Sequence, residues 1–282
     1  MWISLVANAG FLVVQLIAGI AFGSLALVAD SVHMASDVVA IGIAIIAQQL
    51  AIRPASTRNT YGLLRAEVLG AQVNAVLLAC ASAWVIYEAI QRFSSPTAVN
   101  GTGVIIVGTL GIFVNGLSAW LINRTAGSSL NMRGAFWHLA ADAIGSVGVV
   151  ISGIVIVITD KTWVDPAVSL LIAALILWAA WRLLADATRV LLEATPRGID
   201  IAVVENLMCS DDSVSGVHHL HIWSIDSETP ALSAHVVLSG EWTLHDAQDC
   251  GERLKTALAE NFAIRHATLE LECHACEADR TH

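Results

Sequence analysis

The chain has 282 residues, 13 % charged and 56 % apolar, with a mean hydropathy of +0.70 and a formal net charge of −10. Soluble domains carry about 25 % charged residues, so the composition argues against a soluble enzyme, and its apolar content excludes a disordered chain. Residues 1–192 hold nine Lys/Arg against eight Asp/Glu, whereas residues 193–282 hold five against sixteen. The first part reads as membrane and the second as a small acidic soluble domain. No basic patch is present to neutralise phosphates, which excludes nucleic-acid partners.

The opening MWISLVANAGF lacks the basic segment of a signal peptide and reads as the start of a first span. Six apolar stretches follow in order, at 2–22, 25–50, 66–91, 102–123, 134–158 and 165–186. Each reaches the ~20 residues that cross ~30 Å of hydrocarbon as a helix. The connectors are short and turn-rich, and none of the ~10-residue alternation of a membrane barrel is seen. An even number of spans puts both termini on one side. Arg53, Arg58, Arg65, Arg124, Arg133, Arg182, Arg189 and Arg197 fall on that side, against Arg92 and Lys161 on the other. The positive-inside rule therefore predicts a multi-pass cell (inner) membrane protein with both termini cytoplasmic. Trp2, Trp163, Trp178 and Trp181 near span ends suit the lipid interface.

The acidic tail reads as a helix from Asp200 to Cys209, strands at Val217–Ile225 and Ala231–Leu238, a helix over 245–262 and a strand at Ala267–Glu272. The second helix places Ala247, Cys250, Leu254, Leu258 and Phe262 at helical spacing. The order αββαβ predicts a two-layer α+β fold with helices on one face of a small sheet. About 75 residues make a thin core, which dimerisation or metal would reinforce. The five cysteines, Cys80, Cys209, Cys250, Cys273 and Cys276, are odd in number and scattered, so they form no disulfide framework.

A charge at the bilayer centre costs about 2.5–3.5 kcal/mol on insertion scales, so an intramembrane ionisable residue is paired or functional. Span two contains HMASD and span five HLAAD, the same His-x-x-x-Asp pattern twice: His33 with Asp37, and His138 with Asp142. Residues i and i+4 share a helix face. Two such helices present two imidazoles and two carboxylates to one point, a tetrahedral set for Zn²⁺. Ala35, Ser36, Ala140, Ala141 and Gly145 permit close helix approach. A single pair reads equally as an intrahelical hydrogen bond that hides its charge; the repetition favours metal. Asp30, three residues before His33, is either a supporting partner of that site or a residue near the start of its span. Asn8, Gln15, Gln72, Asn74 and Asn115 read as hydrogen-bond glue between helices, and Glu88 with Arg92 as an i, i+4 ion pair.

In the tail, strand alternation puts His219 and His221 on one face with Trp223, and His218 on the other with Leu220 and Ile222. The three therefore are not expected to serve one site, and each is by default an ordinary core or surface histidine. Cys273 and Cys276 are two thiols at metal-ligand spacing, half of the four that structural zinc takes.

Four protein ligands close a metal site, which favours holding and releasing an ion over hydrolysis. Imidazole, with an ordinary pKa near 6.5, lets protons compete with the metal. The residues thus predict metal–proton antiport. An intramembrane zinc-dependent hydrolase is the alternative, but it needs an open coordination position and a general base; no Glu flanks either motif, and HExxH is absent. A passive channel would show rings of ligands along a pore, and a membrane-bound metal sensor would use only the tail.

The blocks GSLALVADSVHMASD, YGLLRAEVLGAQVNA, SLNMRGAFWHLAADAIGSVGV, DPAVSLLIAALIL, VLLEATPRGID, VHHLHIWSI and LSAHVV resemble, in order and over almost the whole chain, the cation diffusion facilitator family, zinc branch. The resemblance implies a homodimer in the lipid membrane. Each subunit would have an all-α six-helix transporter domain (1–192) and a cytoplasmic ferredoxin-like metal-binding and dimerisation domain (193–282). It implies export of Zn²⁺ in exchange for H⁺ by alternating access, with Co²⁺ or Cd²⁺ as further candidate cargo. Carried over residue by residue, His33, Asp37, His138 and Asp142 match the family's transport site. His218, His235 and Glu272 match positions that bind regulatory zinc in some members, with Glu270 and His266 aligned more loosely. Three departures are expected to matter. The loop RPASTRNTYGLLR lacks the Asp and His of an extra site, the loop NRTAGSSLNMR has no His, and no cytoplasmic arm precedes span one.

Overall fold

The computed structural model describes residues 2–51, 56–125 and 130–274; the side chains of residues 2–7, 44, 48, 51, 121–125 and 130–138 lie outside that description. Six long helices come first: α1 (Trp2–Ala21), α2 (Leu25–Ala51), α3 (Arg65–Ser94), α4 (Gly101–Thr125), α5 (Leu130–Thr159) and α6 (Val164–Leu191). Among the described residues, stretches of α2 to α6 are long and apolar enough to cross a membrane, and α1 adds a shorter apolar run over Asn8–Ala21. Then follow α7 (Ile201–Cys209), β1 (Val214–Ser224), β2 (Pro230–Leu238), α8 (Leu244–Phe262) and β3 (His266–Glu272). The chain divides into two compact units, 1–45 with 73–184, and 46–72 with 185–282.

In the first unit the helices bury small and branched residues between them. Ala18, Ala26, Leu27, Val104, Val107 and Val149 join α1, α2, α4 and α5. Leu25, Ala29, Val85, Ala89 and Ala173 join α2, α3 and α6. The large apolar side chains turn outward instead: Ile20, Ile144, Ile158 and Trp181 are each about 70 % exposed. Such a surface is costly in water and suits lipid tails. Close packing of α4 on α5 depends on glycine, because a Cβ at Gly153 would meet the Gly101 carbonyl oxygen at 3.0 Å and Ile105 Cγ1 at 2.9 Å.

Polar groups in this unit are tied between helices. Asp165, fully buried at the start of α6, accepts from Ser24 Oγ at 2.5 Å and from the backbone N–H groups of Leu25 and Ala26 at 2.6 and 3.4 Å. A carboxylate thereby caps the otherwise unpaired amides of the first turn of α2, where the helix dipole favours negative charge. Arg92 binds Glu88 at 3.1 Å, as its i, i+4 spacing predicts, and also donates to the Gly23 carbonyl at 2.6 Å. Asn74 donates to Ser36 Oγ, joining α3 to α2.

In the second unit, β2 lies between β1, antiparallel to it, and β3, parallel to it. α7 starts where Asp200 accepts from Ala202 N, and α8 where Thr243 accepts from Asp246 N. Both helices cover one face of the sheet over a core of Val204, Met208, Ile222, Leu232, Val236, Leu254 and Leu258. This is the predicted αββαβ order; the strands begin one to three residues earlier than expected.

Candidate metal centre

α2 and α5 carry the two His-x-x-x-Asp motifs. His33 and Asp37 stand one helical turn apart on α2, and Asp142 approaches from α5. His33 Nε2 lies 2.8 Å from Asp142 Oδ1 and 4.0 Å from Asp37 Oδ2. One ligand atom from each of the three falls within 4.8 Å of the others. Tetrahedral donors about 2.0–2.1 Å from a zinc ion are about 3.3 Å apart. The two separations bracket that edge, so small side-chain movements suffice to grip an ion. His138, the fourth sequence-predicted ligand, is one turn before Asp142 in α5, and its side chain lies outside the described residues.

Asp30 stands one turn before His33 and is 6 % exposed. It accepts from the Gln15 amide of α1 and from Ser146 Oγ of α5, the latter at 3.3 Å. It therefore links three helices, and Gln15 makes the interhelical hydrogen bond expected of it, from α1 to α2. Sequence spacing put Asp30 on the right face but gave no sign of these donors. Nor did it single out Asp165, whose role depends on a neighbour 141 residues away.

A second cluster occupies the open face of the small sheet. Alternation in β2 buries Ala234 and Val236 and turns His235 away from the core. Glu272, at the end of β3, is 7 % exposed and receives two imidazoles. His218 Nε2 lies 2.9 Å from one of its oxygens and His235 Nδ1 2.7 Å from the other. His235 Nε2 lies 3.4 Å from Glu270. His218, His235 and Glu272 thus come together, and Glu270 joins them. His266 does not: it starts β3 and packs edge-on against Tyr61. Cys273 is exposed, with Sγ 3.2 Å from Nδ1 of its neighbour His274, and Cys276 lies outside the described residues.

The expectation that puts His218 on the face of Leu220 and Ile222, away from His219, is corrected: Leu220 and Ile222 pack on the core, whereas His218 turns to Glu272 and His235. Regular alternation would set His219 opposite His218, yet β1 advances three residues from His218 to His221 while β2 advances two from His235 to Ser233. The extra residue is a β-bulge, and His219 takes a left-handed φ of 48° within it. His218, His219 and His235 consequently share one face, with a ring nitrogen of each within 4.8 Å of the others.

The cation efflux transmembrane domain family matches residues 1–192, and the cation efflux protein cytoplasmic domain family matches residues 196–274. A Bacillus velezensis protein named a cadmium, cobalt and zinc/H(+)-K(+) antiporter is 35 % identical over 99 % of this chain and 90 % of its own length. The Escherichia coli zinc transporter ZitB is 37 % identical over 98 % of this chain and 87 % of its own. The solved metal-bound C-terminal domain of the CzcD transporter from Cupriavidus metallidurans is 32 % identical, covers 26 % of this chain and 99 % of its own, and has a TM-score of 0.24. Both full-length relatives are named as transporters, and neither name favours the hydrolase alternative. The chain belongs to the cation efflux, or cation diffusion facilitator, family and is a multi-pass membrane transporter, not an enzyme.

Proposed function

We propose that the protein exports Zn²⁺, and the chemically similar Cd²⁺ and Co²⁺, from the cytoplasm in exchange for protons. The cargo ion is held by His33, Asp37, His138 and Asp142. Residues 1–192 form the transport domain, and residues 193–282 form a cytoplasmic domain that dimerises and binds regulatory metal through His218, His235 and Glu272. Both termini face the cytoplasm in the cell membrane, as the arginine distribution favours. The relatives named as zinc, cadmium and cobalt transporters support the cargo class.

The observation that carries this reading is the convergence of His33, Asp37 and Asp142 on one point inside an apolar helical unit. Mixed nitrogen and oxygen donors suit zinc-group ions better than Mg²⁺ or Ca²⁺, which take oxygen alone. Imidazole titrates near ambient pH, so a proton arriving at the site weakens its hold on the metal. Alternating exposure of α2 and α5 to the two sides, with the gradient reloading protons, then gives antiport. The test is zinc flux in proteoliposomes with and without a pH gradient, for wild type and Asp142→Ala. Gradient-dependent flux that the substitution abolishes supports the reading. Flux indifferent to the gradient removes the proton coupling, and flux indifferent to the substitution removes the site.

A further inference from the structure

β1 departs from regular pairing with β2 at two places, between Val214 and Gly216 and between His218 and His221, and the second falls among the histidines. The bulge between His218 and His221 places His219, a residue other than glycine, in left-handed backbone conformation, which costs free energy and persists where the surroundings hold it. Its effect is to swing one imidazole onto the face that already carries two. The ring centroids of His218, His219 and His235 lie 4.9–5.0 Å apart in all three pairings. Three imidazoles gathered this tightly offer three ring nitrogens to one point. A shared divalent ion would use all three as ligands. The acidic groups are arranged to match: Glu272 receives His218 and His235, the carboxylate–imidazole pairing that orients histidines toward a metal. His219, His235 and Glu270 also border a cavity of about 230 Å³, which gives an ion room to enter.

We infer that His219 is a metal ligand, completing with His218 and His235 a three-imidazole site for a divalent transition metal on the sheet face. This refines the proposed regulatory site, with Glu272 orienting the imidazoles and His219 taking the third ligand position, and rests on the reading that this face binds metal. A nitrogen-rich set favours Zn²⁺, Co²⁺, Ni²⁺ and Cu²⁺ and rejects Mg²⁺, Ca²⁺ and Mn²⁺. The β-bulge is then a device for aiming a ligand.

The test uses the full-length protein carrying Asp37→Ala and Asp142→Ala, so that binding reports the sheet face alone. Zn²⁺ affinity is measured by competition with a chromophoric chelator, and Co²⁺ absorption reports the ligand set. His219→Asn removes the imidazole but tolerates left-handed backbone; His219→Gly preserves the bulge outright. Both are expected to weaken binding by about tenfold or more and to alter the Co²⁺ spectrum, while His245→Asn, at an exposed position on α8, leaves both unchanged. If His219→Asn and His219→Gly bind as the parent does, while His218→Ala and His235→Ala lose affinity, the three-imidazole inference is overturned and the regulatory site stands. If none of the four changes binding, both fall.

Discussion

Replacing Asp142 by Asn preserves side-chain volume and removes one negative charge from the point where His33 and Asp37 converge. The Asp142 side chain is 9 % exposed and its Oδ1 lies 2.8 Å from His33 Nε2, so water screens it little. Two unit charges 4 Å apart interact by about 4 kcal/mol at an effective dielectric constant of 20. A doubly charged ion at bonding distance gains more than this from the carboxylate, and the cost of keeping the carboxylate dry returns part of it. A net loss of about 3 kcal/mol corresponds to roughly 100-fold weaker binding. The assay is the initial rate of zinc flux in proteoliposomes, below the wild-type half-saturating concentration and normalised to folded protein. The rate should drop by about 100-fold, with half-saturation moving up to match. The competing account is an ion pair that merely neutralises charge between α2 and α5. It predicts a lower melting temperature with flux per folded molecule within about threefold of wild type, the range of ordinary context effects. That second outcome would refute the metal site.

Other consequences concern the scaffold and the tail. Asp165→Ala removes the acceptor of Ser24 Oγ and of two amides of α2. It should destabilise the protein by about 2–3 kcal/mol, read as a lower melting temperature in detergent, with Asp165→Asn recovering part; an unchanged melt would show that the cap is dispensable. Gly153→Val should cost about 1–3 kcal/mol by overpacking, since its Cβ would press on the Gly101 carbonyl; the same melt checks it. In the cytoplasmic domain the Ser213 backbone N–H, together with the Ser213 hydroxyl and the Arg253 guanidinium, holds the Asp211 carboxyl below the usual carboxylate range. A depressed pKa adds stability that is present above the unfolded value, about 3.9, and is lost as pH falls through the folded one. Asp211→Asn should therefore destabilise at pH 7, and denaturation curves of mutant and wild type should converge as pH drops below about 4. A gap that persists at low pH would contradict the assignment.

What was legible in the residues was local. The lengths of the six apolar runs, the αββαβ order of the tail and the twofold His-x-x-x-Asp motif all follow from repeats of 2.0 or 3.6 residues, which each segment carries within itself. Spacing alone puts His33 and Asp37 on one face of α2. Comparing the two motifs was enough to set α2 against α5.

Contacts that join distant segments were decided only by the tertiary structure. Asp165 reads as an ordinary first-turn acid of α6 until α2 is packed beside it, and Asp30 acquires its meaning only when α1 and α5 bring Gln15 and Ser146 to it. His219 is the sharpest case. Strict alternation sends it to the opposite face from His218, but pairing with β2 leaves one residue of β1 over, and the strand absorbs it there. Such a mismatch belongs to neither strand by itself. It arises from the register of two strands held by the core beneath them, so no periodicity within β1 can reveal that His218 and His219 share a face.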